Sequence, residues 1–137
     1  MGQQQLLLII LGVFIIGIAI VLGVTMFEDN AVSSDRDAVQ ADLAEIASKA
    51  QAYYRKTAEF GGGGNSFASL TADSVGMALL VSSSFSDNTN GTYTIKTAGT
   101  ATTVVLHGIG KTSIDATNFP EYDCTVTATG YTFTKIK

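Results

Sequence analysis

Few residues in this chain have the type and spacing that chemistry requires. Gly110-Lys111-Thr112 has the last three residues of a phosphate-binding loop, in which backbone N–H groups and a lysine hold phosphate oxygens. That motif also needs a glycine five positions before Gly110, where this chain has Val105. It should open a helix as well, and the residues that follow do not favour one. We therefore predict that Gly108–Ser113 is a turn at the end of a strand.

Histidine and cysteine each occur once, as His107 and Cys124. An activated nucleophile needs a general base within hydrogen-bond reach and a third group that orients the base, and no spacing here identifies such partners. We predict that His107 faces solvent from a strand and that Cys124, in phase with Val126, is a buried thiol; a disulfide between subunits is the alternative. One cysteine and one histidine cannot supply a soft-ligand metal cage. We therefore expect no metal, no cofactor and no enzyme activity.

Three further polar or glycine-rich features have simple interpretations. Asp42 and Glu45 lie three positions apart on a predicted helix, where solvated charges are expected rather than an acid–base pair. Asn90-Gly91-Thr92 matches the short N-glycosylation acceptor pattern, which makes Asn90 a candidate site, and Asn-Gly also predicts a tight turn. The glycine run Gly61–Gly64 is predicted to end the helix and to act as a flexible connector.

The charge distribution argues against a nucleic-acid partner. The formal net charge is −4, and the eight basic residues are scattered apart from the pair Arg55-Lys56, whereas phosphate binding needs clustered lysine and arginine. The first 27 residues carry no charged side chain, so they cannot belong to an ordinary soluble core. The remaining residues, about 110, suffice for one small domain.

The segment Leu6–Val24 is long enough to cross a bilayer. Its 19 residues are aliphatic apart from Phe14 and three glycines, and a hydrocarbon core of about 30 Å needs about 20 apolar residues. A cleaved secretory signal would have a basic start, a shorter apolar run and a small-residue cleavage site, whereas Glu28-Asp29-Asn30 follows this run. Only five nearly chargeless residues precede it, so we expect the N-terminus inside and the rest of the chain outside.

Ten residues of this segment are expected to form the membrane anchor and the core of a later assembly. They are Leu6, Leu7, Ile9, Ile10, Gly12, Phe14, Ile16, Gly17, Ile20 and Gly23. Each glycine costs about 1 kcal/mol relative to alanine inside a helix. The glycines either permit close helix packing or let part of the helix extend when it leaves lipid, and both roles fit the sequence.

A second, amphipathic helical pattern follows the apolar segment. Ser34 is a suitable N-cap, and Asp35 suits the positive end of a helix dipole. The apolar stripe that should pack on the rest of the chain consists of Val39, Leu43, Ile46, Ala50, Tyr53 and Tyr54. Asn30–Ser34 is the weakest stretch, but no proline or loop cluster divides the two halves. We therefore predict one helix from about Gln3 to Lys56, on the order of 80 Å long.

The rest of the chain predicts a small antiparallel sheet. A short helix near Ala72–Met77 and a strand at Ala78–Ser82 are predicted to come first. Alternation and turn residues then predict four strands at Thr92–Thr97, Thr102–His107, Tyr122–Ala128 and Tyr131–Lys135. The predicted fold class is α+β, with a long N-terminal helix packed on an antiparallel sheet of about four strands. The chain divides into an apolar segment at 1–27, an amphipathic continuation at 28–60 and a β-rich head at 61–137 that packs on 35–58.

This arrangement resembles a type IV pilin along the entire chain at the level of architecture. The segments DLAEIASKAQAYYRK (Asp42–Lys56) and GGGGNSF (Gly61–Phe67) also resemble the second half of the helix and the following loop of bacterial pilin-like proteins. Family members carry a glutamate near the start of the mature apolar segment; if Met1 begins the mature chain, Gln5 takes that docking position. A glutamine forms hydrogen bonds but cannot neutralise a neighbour's α-amino group. The helix proline of the family is also absent.

The resemblance leaves the processing of the N-terminus open. Pilins are made with a short basic leader that is cut after a glycine, and no basic residue precedes Gly2. Either the leader has already been removed, or cleavage occurs after Gly2, or there is no leader.

The function implied by the resemblance is that of a structural subunit in an extracellular filament used in cell adhesion. The expected partners are further copies of the chain, the cytoplasmic membrane before assembly and the pilus assembly machinery. Two alternatives share the features above, namely a secretion-system pseudopilin and a single-pass anchored extracytoplasmic binding module. A simple anchor is usually followed by a flexible polar tether. Because no such tether separates the apolar segment from the head, assembly is favoured.

Overall fold

The computed structural model of the chain describes residues 2–137 and has the α+β fold that the sequence predicts. Helix α1 spans Gly2–Arg55, and a single 3-10 turn follows at Ala58–Phe60. Two short helices come next, α2 at Ser74–Ala78 and α3 at Ser83–Ser86. The strands are β1 at Gly91–Thr97, β2 at Thr103–Gly110, β3 at Glu121–Thr127 and β4 at Tyr131–Lys135.

Helix α1 is continuous through both halves of the sequence pattern. The single long helix that the sequence predicts is confirmed, and Ser34 does not act as an N-cap because the turn before it, Asn30–Ser33, already supplies helical carbonyls for the backbone N–H groups. The prediction that Asp35 serves the positive end of a helix dipole is wrong for the same reason. Asp35 faces the head instead, is only 8% exposed, and its Oδ2 accepts a hydrogen bond of 3.0 Å from the backbone N–H of Thr112.

The glycine run after α1 forms an ordered cap rather than the flexible connector that the sequence suggests. The backbone N–H of Gly63 donates to the Tyr53 carbonyl at 2.8 Å, and that of Gly64 donates to the Lys56 carbonyl at 2.9 Å. Gly61 and Gly64 have φ angles of 77° and 58°, a region that other residues rarely adopt. Glycine is therefore what lets the chain turn back and satisfy the last carbonyls of the helix.

The four strands form one antiparallel meander in the order β1-β2-β3-β4. The strands that the sequence predicts after residue 91 are confirmed to within a few residues. The β1–β2 pairing shifts between Ile95 and Thr97, which is the signature of a bulge. One face of the sheet packs on α1, and the helix lies mainly over β2 and β3.

The core lies between this sheet face and the second half of α1. The strand residues that it buries alternate along the chain, as expected for a sheet with one solvated face. They are Tyr93, Ile95, Val104, Leu106, Tyr122, Cys124 and Val126. Phe67, Leu70, Met77, Leu80 and Val81, all from the connection between α1 and β1, complete the core.

The predicted strand at Ala78–Ser82 is wrong. The Asp73 carboxylate accepts the backbone N–H of Gly76 at 2.9 Å and so starts α2. The chain then passes through a turn into α3. Leu80 and Val81 are buried in that turn, so the apolar residues that suggested a strand serve the core without strand pairing.

Candidate assembly surface

The first 30 described residues of α1 pack against nothing in their own chain. No residue from Gly2 to Ala31 is buried, and Val32 is the first that the head covers. At about 1.5 Å per residue this bare half of the helix is about 45 Å long. Its composition and length allow it to cross a membrane.

The ten residues predicted to form the anchor all lie on this bare half. Each of the seven large apolar ones is more than half exposed, with Leu7 at 66% and Phe14 at 66%. A methyl group at Gly12, Gly17 or Gly23 would meet no atom within 4 Å apart from its chain neighbours and the backbone of its own helical turns. An apolar surface of this extent marks a site that lipid or other proteins must cover.

A shallow apolar groove marks one side of the bare helix. Gly17 forms its floor, and its walls are Val13, Phe14, Ile18, Val21 and Leu22. The absence of a side chain at a groove floor lets a second helix approach closely. Gln5 lies exposed about three turns towards the N-terminus, where its amide is free of contacts with the head.

The amphipathic half of α1 holds the head in place. Val39, Leu43, Ile46 and Ala50 are completely buried, and Tyr53 is 7% exposed. Tyr54 is partly buried and packs on Phe67, with ring centroids 4.8 Å apart. Since α1 has no break between its two halves, this packing fixes the direction in which the bare half leaves the head.

Asp42 is a structural anchor rather than the solvated charge that the sequence predicts. Its Oδ2 accepts hydrogen bonds from Asn88 Nδ2 at 2.9 Å, Asn90 Nδ2 at 3.1 Å and Tyr93 Oη at 2.8 Å. Burial, and then this carboxylate, raise the pKa of Tyr93 above its ordinary value. Glu45 does face solvent and pairs with Lys49 at 2.9 Å.

The Asp42 contact bears on the glycosylation motif. The side-chain amide of Asn90, where a glycan would be attached, is half-buried and donates to Asp42. Attachment of a sugar at this nitrogen would replace one of its hydrogens and crowd the helix. The structure therefore gives Asn90 a defined role in holding the start of β1 on α1.

His107 has an acidic partner that sequence spacing did not reveal. Its Nδ1 lies 2.6 Å from Asp123 Oδ1, and the other oxygen of Asp123 accepts a hydrogen bond from Lys96. The three residues come from three neighbouring strands and lie on the face of the sheet opposite α1. His107 is mostly covered there, with a side chain 17% exposed, so the prediction of a fully solvent-facing histidine is too simple.

The structure also places Cys124 and the segment Gly108–Ser113, the two remaining candidates for chemistry. Cys124 is completely buried, and burial raises the pKa of its thiol to about 12. Gly108 and Gly110 belong to β2, while Lys111 follows the strand and pairs with Asp87 at 2.7 Å. The segment continues a strand into a turn and does not begin a helix.

No family model, no curated protein and no solved structure matches the chain.

Proposed function

We propose that this chain is the structural subunit of a type IV pilus-like extracellular filament. The observation that carries the proposal is the 54-residue helix α1, whose apolar first half contacts nothing in the chain and whose second half is fused to a folded head. Copies of the chain would pack their apolar halves together in the filament core. Their heads would then form the outer surface.

The energetics favour a durable assembly. Transfer of apolar surface from water into a packed core is worth about 25 cal/mol per Å², so burying a helix such as Leu6–Val24 amounts to tens of kcal/mol before entropy costs. The cytoplasmic membrane supplies an alternative apolar environment before assembly. The same segment can thus serve first as an anchor and later as a filament core.

The rigid connection between anchor and head supports assembly over simple anchoring. A single-pass binding protein needs only a membrane span and a flexible tether. Here the head covers α1 from Val32 onwards, within two turns of Phe27 at the end of the charge-free segment, and the helix continues without interruption. Such a connection fixes the orientation of each head relative to the filament core, as a filament with regular helical symmetry requires.

The experiment that tests the proposal is electron microscopy of material sheared from the source cells, with mass spectrometry of the same fraction. We expect thin filaments in which this chain is the main protein, together with a peptide that defines the mature N-terminus. If the chain stays with the membranes while sheared filaments do not contain it, the proposal is refuted.

A matched pair of variants separates anchoring from assembly. Gly17→Leu fills the groove floor but keeps the helix apolar, so membrane association should be retained while the filament yield falls. Ile16→Leu preserves the volume of an adjacent position and should assemble normally. Equal filament yields from the two variants would show that close packing at the groove plays no part in assembly.

A single-pass anchored binding module is the second candidate. It is favoured by a cavity of about 290 Å³ beside β1, bounded by α2 and α3, which has the size of a small ligand pocket. This function predicts that the full-length chain remains in the membrane and binds a soluble ligand there. The shearing experiment distinguishes it from a filament subunit.

A further inference from the structure

The two edges of the sheet are built differently. The β1 edge is covered by α2 and α3, with an isolated bridge between Asp87 and Thr92. The β4 edge is bare, and every residue of Tyr131–Lys135 is exposed. An uncovered edge strand is normally protected by charge, by a bulge or by a partner.

Two neighbouring aromatic rings, Tyr131 and Phe133, lie on the bare β4 edge. The β3–β4 register places Tyr131 opposite Val126 and Phe133 opposite Cys124, so Tyr131 and Phe133 point towards the same side of the sheet as the core. Because α1 lies over β2 and β3, it leaves these rings 40% and 37% exposed. They pack edge to face, with centroids 5.5 Å apart, and form a single aromatic knob.

A mainly apolar cavity, which could accept such a knob, opens at the β1 edge. Its floor consists of buried apolar residues, Met77, Val81 and Ile95, and exposed carboxylates of Asp73 and Asp87 stand at its rim. Its volume is about 290 Å³. An apolar cavity of about 150 Å³ already accommodates benzene, so one aromatic ring fits here with room to spare.

The charges around the two features are complementary. Lys135 follows the knob on the same side of β4, and among residues 2–137 it forms no ion pair. Asp73 at the cavity rim likewise pairs with no cation in that part of the chain, whereas Asp87 is already bound to Lys111. A knob that enters the cavity would bring Lys135 towards an unpaired carboxylate.

We propose that the Tyr131–Phe133 knob of one copy docks into the β1-edge cavity of a second copy. This proposal rests on the filament function and names the contact between heads within it. Knob and cavity of one chain cannot meet, since three strand spacings of about 4.8 Å separate the two edges. The contact therefore joins two different surfaces of two copies, and within a filament it repeats head-to-tail along an open chain of copies.

Chemical crosslinking in cells tests this contact. Full-length protein carrying both Lys135→Cys and Ser74→Cys keeps both rings of the knob. It places one thiol next to Phe133 on the knob side of β4 and one at the mouth of the cavity, both at exposed positions. The native Cys124 is buried, so it does not compete for reagent. The matched control, Thr132→Cys with Ser74→Cys, moves the first thiol to the opposite face of β4.

A short bismaleimide applied to filament-bearing cells should link the first variant into a ladder of dimers, trimers and larger species. Because docking raises the effective concentration of the two thiols, we expect about tenfold more ladder than from the control. Linked peptides identified by mass spectrometry should join residue 135 of one chain to residue 74 of another.

The outcomes separate this proposal from the filament function. Filaments without a ladder, or with equal ladders from both variants, would overturn the knob contact and leave the filament function intact. A ladder specific to the thiol at residue 135 in membranes that never yield filaments would support the contact and refute the filament. The absence of both the ladder and the filaments would overturn the knob contact and the filament function together.

Discussion

Replacement of Asp42 by alanine should destabilise the head strongly, although its position on α1 suggests an ordinary surface charge. Three donors converge on its Oδ2, and one of them, the hydroxyl of Tyr93, belongs to a residue that is only 1% exposed. A hydrogen bond to a charged group contributes about 1.5–3 kcal/mol, and leaving its buried partner unpaired costs a comparable amount. The half-buried amides of Asn88 and Asn90 can turn to water, so they add less. We expect a loss of about 3 kcal/mol in unfolding free energy.

The assay is denaturant unfolding of the full-length chain in detergent micelles, followed by tyrosine fluorescence. Asp42→Asn keeps an acceptor oxygen without the charge and should lie between the wild type and Asp42→Ala. Glu45→Ala is the matched control, because it removes an exposed pair with Lys49 that contributes about 0.5 kcal/mol or less.

A double-mutant cycle isolates the contact with the buried hydroxyl. Tyr93→Phe should cost less in the Asp42→Ala background than in the wild type, since the hydroxyl has already lost its partner. If Asp42→Ala costs no more than Glu45→Ala, or if the two substitutions are simply additive, Asp42 does not anchor β1 and our reasoning is wrong.

Three further predictions concern the head. Partial burial raises the pKa of Asp123, but its contacts with Lys96 and His107 outweigh this and hold the pKa below its ordinary value. The stability that such a carboxylate contributes is present above its unfolded-state pKa and is lost as the pH falls through its folded-state pKa. The melting temperature of the wild type should therefore fall below about pH 4, and that of Asp123→Asn should fall less steeply. Gly110→Ala would drive a methyl group into the Asp35 carboxylate and should cost about 1–3 kcal/mol in denaturant unfolding. Because burial raises the pKa of Cys124 to about 12, a thiol reagent should label it only after unfolding.

Each of these predictions has a result that would contradict it. An unchanged pH profile in Asp123→Asn would mean that the cluster on the outer face adds no acid-sensitive stability. The control for Gly110→Ala is Gly130→Ala, because a Cβ at Gly130 has no atom within 4 Å beyond its chain neighbours. Equal losses of unfolding free energy in the two variants would show that the Asp35 side chain moves aside readily. Rapid labelling of native protein would show that the core around Cys124 opens.

The sequence by itself determined the elements that depend on local pattern. The charge-free run Leu6–Val24 and the stripe from Val39 to Tyr54 define a single long helix, because apolar spacing alone distinguishes an all-round apolar segment from a one-sided one. Period-two alternation likewise located the four strands of the meander, and Cys124 was correctly assigned to the buried face.

Tertiary structure decided the roles of the polar side chains, because their partners are distant in sequence. Asn88 and Asp42 are 46 positions apart, and His107 and Asp123 are 16 apart; no local spacing rule identifies such pairs. Propensity could not show that the chain turns at Ala78–Ser82, since burial of Leu80 and Val81 in the core outweighs the local preference for a strand. Likewise, the sequence of β4 alternates like that of its neighbours. Only the position of α1 over β2 and β3 leaves Tyr131 and Phe133 uncovered, since a helix about 10 Å wide spans two strands and not four.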